Sequence, residues 1–311
     1  MSKLRRALNE YLTLRRALGF NLDVQGGLLH RFVDFADAEG VPFITRDVAL
    51  RWATEPKGCH PAQWAKRLGI VRRFAEYQSA QDVRTEIPPA DLLPHRFQRK
   101  PPYIYNDGEI ARLVEAAKRL HSPTGLRAAT FSTLFGLLAV TGMRVGEATA
   151  LDRQDADLTD GVLVVRQGKF GKSRLVPLHA STAQVLRKYA GIRDRTFPTA
   201  TTPSFFVSRR GGRLSRSSVK STFVALSKQI GLRSATDRCG PRIHDLRHGF
   251  TTRTLLRLYR TADDVEPHMA TLATYLGHAN VQNTYWYLSG VPELFRLVLM
   301  RLEENGPEVA P

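Results

Sequence analysis

The sequence predicts a mainly α chain with one small antiparallel β hairpin or sheet (α+β), divided near residue 100. Three observations carry that expectation. Apolar residues recur at three- and four-residue intervals along most of the chain, the period of a helix with one buried face. One pair of short β-type runs, Val162–Arg166 and Arg174–Leu178, flanks a glycine- and lysine-rich turn, GKFGKS. Between residues 87 and 102 the helical pattern is interrupted by IPPADLLPHRFQRKPP, a proline-rich stretch with His95, Arg96, Arg99 and Lys100. Proline blocks helix continuation and stiffens a connector. The boundaries read from this are a helical unit over 1–90, a basic linker over 91–104 and a larger unit over 105–311.

In the first unit, Leu4–Leu18 has helical spacing with arginine pairs between the apolar positions. After a break at Asp23–Gly27 comes a second helix, Leu28–Ala38. Thr45 caps a third, Arg46–Ala53, with Asp47 in its first turn. The fourth, Pro61–Gln78, carries Trp64, Leu68, Val71, Phe74 and Tyr77 on one stripe, with Arg67, Arg72 and Arg73 away from its centre. Those arginines face either solvent or phosphate.

The second unit opens on Asn106-Asp107-Gly108-Glu109, a capping-box pattern ahead of IARLVEAAKRL. A long apolar helix over Leu126–Val140 ends near Gly142. The hairpin follows, then helices near Ala180–Tyr189, Ser215–Ile230, His244–Tyr259 and Met269–Leu276. After Pro292, ELFRLVLMRLEE has more apolar positions than a free surface helix needs. It either packs in its own core or docks on a neighbouring protomer.

Charge narrows the partners. The chain has 311 residues, with 46 Lys and Arg against 29 Asp and Glu, a formal net charge of +17. Residues 1–100 hold 17 basic and 11 acidic side chains, and the rest hold 29 and 18. Both units are basic, which suits a polyanion that touches both. The N-terminus is charged throughout and lacks a signal-peptide core. The most apolar run, Phe131–Val140, is too short to span a bilayer. Cys59 and Cys239 have neither disulfide-framework nor zinc-ligand spacing. A protein of a reducing cytoplasm, without a disulfide framework or a zinc site and away from membranes, is expected.

Four short segments carry chemistry: TGMRVGE (Thr141–Glu147), QGKFGKSRLVPL (Gln167–Leu178), HDLRHGF (His244–Phe250) and LGHANVQNTYWYL (Leu276–Leu288). Arg144 lies between one helix end and the next start, a fixed place for a fork that binds two phosphate oxygens. Glu147 is one turn on and can hold that fork. His244 and Arg247, three apart, share a helical face, and His248 can join them. Gly277 ends a helix and leaves His278 at its terminus. Tyr287 follows nine residues later. Taken singly, each has an ordinary reading: a surface ion pair for Arg144, a chance HxxR match, a capping histidine, a packed tyrosine, and a solvated turn lysine for Lys169.

Taken together, in this order, the segments resemble the tyrosine recombinase (phage integrase) family. The resemblance implies an N-terminal helical core-binding domain that contacts DNA and a C-terminal catalytic domain. It assigns Arg144, Lys169, His244, Arg247, His278 and Tyr287 to the catalytic site, with Asp245 and His248 in support. The GKFGKSRLVPL wording resembles the family's GKGxKxRxVPL pattern. That match makes Lys169 the general acid and Lys172 its neighbour, although Phe170 replaces the usual glycine. The implied reaction is attack of Tyr287 on a phosphodiester held by the arginines, with His244 placed to accept the phenolic proton. It needs no cofactor, and its partners are a double-stranded DNA recombination site and further copies of the chain, as a tetrameric synapse. The TYWYL-to-PEL wording is closer to recombinases of mobile elements, which links the chain to integration and transposition. Three rivals stand beside it: a type IB topoisomerase, a non-catalytic DNA-binding regulator on the same fold, and a metal-dependent transposase. The last would need a carboxylate cluster, which the sequence does not assemble.

Overall fold

A computed structural model describes residues 2–94, 101–166, 173–199, 201–234, 236, 240–261, 264–278, 280, 282, 284–285, 287 and 291–304, the last four by backbone alone. The chain forms two units, Met1–Lys100 and Pro101–Pro311.

Among its described residues the first unit has four helices: α1 (Lys3–Ala17), α2 (Asp23–Ala38), α3 (Arg46–Thr54) and α4 (Pro61–Ser79). Leu8, Phe32, Val33, Ala49, Trp52, Val71 and Phe74 fill their shared core. Thr45 caps α3 by accepting the Val48 amide. The expected break at Asp23–Gly27 is instead the first turn of α2. Gly26 is buried there, and a β-carbon at that position would meet Leu12 and Arg16 of α1. Those distances, 3.4–3.6 Å, are ordinary contacts, so the glycine is a buried helical residue rather than a chain reversal. Arg67 also departs from expectation. Its guanidinium stacks 3.8 Å over the Trp52 ring and donates to the Trp52 carbonyl at 2.7 Å, a structural post rather than an outward-facing charge. Arg72 pairs with Glu76, and Arg73 is exposed.

The second unit is built on α5 (Asp107–Lys118) and α6 (Leu126–Thr141). The Asn106 side chain accepts the Glu109 amide, and the Glu109 carboxylate accepts the Asn106 amide, so the expected capping box is present. Helix α6 is buried almost all round, by Leu134, Phe135, Leu137, Leu138 and Ala139 among others, and packs against α5 and against the later helices Ala180–Thr196 and Asp245–Thr261. It is the central post of this unit. After α7 (Val145–Ala150) comes a three-stranded antiparallel sheet in the order β1 (Ala156–Asp157), β2 (Val162–Val165), β3 (Arg174–Pro177). The two-residue β1 is too short to leave a sequence signal. Val165 pairs with Arg174 across the hairpin. The turn, with Lys169 and Lys172, lies outside the described residues.

The helices given among the described residues then continue with α8 (Ala180–Thr196), α9 (Arg216–Gln229), α10 (Asp245–Thr261), α11 (Glu266–Leu276) and α12 (Pro292–Glu304). Helix α8 runs past Tyr189 because its last turns also reach the core, where Arg193 is 4% exposed and donates to the Phe205 carbonyl. A separate apolar cluster joins α10, α11 and the C-terminal segment through Leu255, Met269, Leu272, Leu276, Tyr287 and Leu294. Helix α12 thus packs on its own chain through Leu294, while Phe295, Leu299 and Met300 stay exposed. No helix among the described residues is long and apolar enough to cross a membrane.

Candidate active site

The site forms around the C-terminus of α11. A helix end leaves its last carbonyls without intrahelical donors. Here three successive carbonyls are each taken by an arginine from a different element. Arg174 of β3 donates from Nε to Tyr275 at 2.7 Å, Arg247 of α10 from Nη2 to Leu276 at 2.6 Å, and Arg144 before α7 from Nη2 to Gly277 at 3.0 Å. Gly277 closes α11 at φ +65°, and a β-carbon there would lie 3.1 Å from Arg174 Nη1 and 3.5 Å from Arg144 Nη1. The negative end of the helix dipole favours this concentration of cations.

Arg144 and Arg247 are held differently. The Arg144 side chain keeps 22% exposure; its Nη1 reaches Glu147 at 2.7 Å, and the Glu147 carboxylate also accepts the Arg144 amide. Arg247 is 2% exposed, and its Nη1 donates to the Gly142 carbonyl at 2.8 Å. Burial and the neighbouring Arg144 bring its pKa down to about 10, which leaves it charged at neutral pH. Gly142 ends α6 at φ +62°, where a β-carbon would strike the Phe250 ring at 2.5 Å. That ring stacks on Tyr275, whose hydroxyl donates to Thr141 at 3.0 Å.

Glu147 ties the arginines together. Burial alone would raise its pKa, but the hydrogen bonds from Arg174 and from the Arg144 backbone outweigh burial and bring it to about 2. Arg174 grips both carboxylate oxygens, at 3.1 and 2.7 Å. The fork geometry is bidentate.

The histidines border this group. His244 immediately precedes α10, and its ring meets that of His248 edge to face at 4.9 Å. Burial and the nearby Arg247 lower its pKa. His278 Nδ1 lies 2.8 Å from the Thr284 hydroxyl, so the ring is held rather than loose at the helix end. Burial, then Arg247 and Arg144, bring its pKa to about 4. The Tyr287 ring is packed in the α10–α11 cluster, and its hydroxyl lies 2.7 Å from His248 Nδ1. Tyr285 faces elsewhere, donating to Glu266 at 2.7 Å.

Most sequence-assigned residues therefore meet. Arg144, Arg247 and His278 gather at the α11 terminus; His244 and Tyr287 are joined to them through His248 and α10. Lys169 cannot be located, since it lies outside the described residues. The ring nitrogen that lies against the Tyr287 hydroxyl belongs to His248, and His244 packs against that ring. Asp245 is buried and accepts the Arg242 amide and guanidinium, which fixes the start of α10. Arg174 was legible only as one letter of the lysine-bearing motif. Its signal would have been a charged residue opening an otherwise apolar strand, which demands a buried partner. Among the described residues, no group of three His, Cys, Asp or Glu could hold a metal.

A helical fold that gathers arginine forks and a histidine at one helix terminus, with further histidines and a tyrosine beside them, has the form of a phosphodiester-cleaving enzyme with a tyrosine nucleophile. The chain belongs to the phage integrase family, whose model matches residues 105–291. It is 48% identical over 310 residues to the Sinorhizobium fredii protein y4rB, provisionally named an integrase/recombinase, covering 98% of both chains. It is 29% identical to the tyrosine recombinase XerD of Caulobacter vibrioides, over 87% of this chain and 84% of that one. The fold is shared with a XerH site-specific recombinase bound to a palindromic difH substrate (TM-score 0.63, 19% identity, 90% of this chain and 78% of that one). It is also shared with a Tn1549 transposon integrase in complex with transposon right-end DNA (TM-score 0.62, 15% identity, 96% and 99%). The chain is a tyrosine site-specific recombinase.

Proposed function

We propose that Tyr287 breaks and reseals double-stranded DNA with the residues around the α11 terminus in the following roles. The observation that carries this reading is the placement of Arg144 and Arg247 on adjacent carbonyls, Gly277 and Leu276, one residue from His278. Each guanidinium keeps further N–H groups for the oxygens of one phosphate. The Tyr287 oxygen bonds to phosphorus while the bond to the 5′ oxygen breaks. Its proton passes to His248, and Lys169 supplies a proton to the departing 5′ oxygen. Arg144, Arg247, His244 and His278 hold the charge that builds on the non-bridging oxygens. The product is a 3′-phosphotyrosyl ester with a free 5′ hydroxyl. A 5′ hydroxyl from a partner duplex reverses the step and completes recombination.

In the same reading, residues 1–90 form a core-type DNA-binding domain, 91–104 a basic linker and 105–311 the catalytic domain. The positive charge of each unit fits contact with a DNA duplex. Copies assemble on DNA as a tetrameric synapse in the cytoplasm, and the exposed Phe295, Leu299 and Met300 of α12 support contact between copies. The likeness to a transposon integrase supports work on a mobile element.

The test is covalent capture. A library of nicked duplexes with randomised arms is incubated with the chain in excess chelator, and SDS-stable protein–DNA adducts are sequenced. Adducts enriched for one sequence and lost in Tyr287→Phe support the reading. Adduct formation only after magnesium is restored overturns it.

A further inference from the structure

We propose that Arg174 is a positioning residue for strand cleavage: by neutralising Glu147, it leaves the charge of Arg144 free for the phosphate, and it fixes the start of the strand that follows the lysine turn. The inference rests on Arg144 being a phosphate ligand. It uses a residue that the implied catalytic set does not contain.

Glu147 carries one negative charge and touches two arginines. Its side chain is 6% exposed and that of Arg174 10%, so solvent screens the cluster weakly. If Glu147 faced Arg144 alone, the two charges would cancel where a phosphate dianion-like transition state must bind. With Arg174 gripping both carboxylate oxygens, one full positive charge remains, and Arg144 is the more exposed of the two arginines. Arg174 therefore acts as the counter-ion and Arg144 as the ligand.

Geometry adds a second part. Arg174 uses Nε on Tyr275 while its two terminal nitrogens hold Glu147. One side chain thus ties β3 to the α11 terminus and to the first turn of α7. A lysine cannot do this, because its single nitrogen lacks the planar fork. Arg174 lies two residues after Lys172 and five after Lys169 in the chain.

The test uses a nicked duplex recovered by covalent capture on the unmodified chain, with adduct formation followed in single turnover. Arg174→Gln is expected to slow cleavage by about tenfold or more, on the scale of losing part of an oxyanion donor, with DNA affinity changed by less than about threefold. Arg174→Lys, which keeps charge without the fork, is expected to recover only part of the rate. The deciding variant is Arg174→Gln combined with Glu147→Gln. Removing the uncompensated carboxylate returns the charge of Arg144, so the double variant cleaves faster than Arg174→Gln alone. A purely structural Arg174 gives the opposite result, because the second substitution removes another buried contact. A double variant no faster than the single one overturns the inference, as does an Arg174→Gln variant of unchanged rate. Arg144→Ala separates the two levels. If it cleaves normally, the reading of the whole site fails; if it is inactive while Arg174→Gln is normal, only the present inference fails.

Discussion

The Nδ1 nitrogen of His248 and the hydroxyl of Tyr287 lie 2.7 Å apart, across 39 residues of sequence. The histidine is in the first turn of α10, which Asp245 fixes and Leu246 buries. The tyrosine ring is packed among Leu255, Met269 and Leu276. Apolar packing thus sets the ring, and the His248 imidazole addresses its oxygen. With the ring proton on Nε2, Nδ1 accepts the phenolic O–H.

Tyr287→Phe is expected to bind DNA nearly as well as the unmodified chain and to form no adduct, since only one oxygen is lost from a basic surface. His248→Gln keeps a hydrogen-bonding partner but not a base. It is expected to slow adduct formation by roughly a hundredfold, the usual scale of general-base loss, while leaving DNA affinity intact. Mobility-shift and SDS-stable adduct assays on the same preparations check both. Adduct persisting in Tyr287→Phe would move the nucleophile to Tyr285.

Stability is expected to fall with acid in two windows. The pKa values of His248 and His278 are about 4 in the fold, against 6.5 as the ordinary value, because burial opposes their charged forms. Between those pH values the unfolded chain binds more protons, so the folded state is favoured above pH 6.5 and loses stability as pH falls toward 4. Glu147, about 2 against 4.5, has the same sign in the lower window. Thermal midpoints measured from pH 7 to pH 4 should therefore drop, and a His248→Gln/His278→Gln variant should drop less. An equal slope in the two proteins would assign the loss to other groups.

Gly142→Ala is expected to cost about 2–4 kcal/mol. It combines a left-handed backbone with overpacking, since the new methyl meets Phe250 at 2.5 Å. The displaced carbonyl is also the one that receives Arg247, so cleavage should fall with stability. Urea midpoints measure the first effect. A loss below about 1 kcal/mol would mean that the Phe250 ring yields without disturbing Tyr275.

Lys169→Ala is expected to slow cleavage far more than Lys172→Ala, and a 5′-bridging sulfur should rescue the first variant, because a thiolate leaves without a proton. Rescue confined to Lys172→Ala would exchange the two roles, an outcome to which Phe170 in the turn gives weight. Rescue of neither would remove the hairpin lysines from proton transfer.

The helices, the capping box at Asn106 and the hairpin were legible because their causes are local. Periodicity, a cap and a turn operate over a few residues. The end of α6 at Gly142 and the order of Arg144, His244, Arg247, His278 and Tyr287 were legible for the same reason. The sequence by itself thus determined the class of fold, the family and most of the candidate site. Only the tertiary structure decided how those side chains are used. Three consecutive carbonyls at the end of α11 are satisfied by arginines 101, 29 and 133 residues away. His248 rather than His244 meets the tyrosine, Arg67 props Trp52, and Gly26 is buried inside a helix. Each outcome depends on which distant group arrives at an unsatisfied donor, acceptor or gap once the core closes. Spacing along the chain does not carry that information.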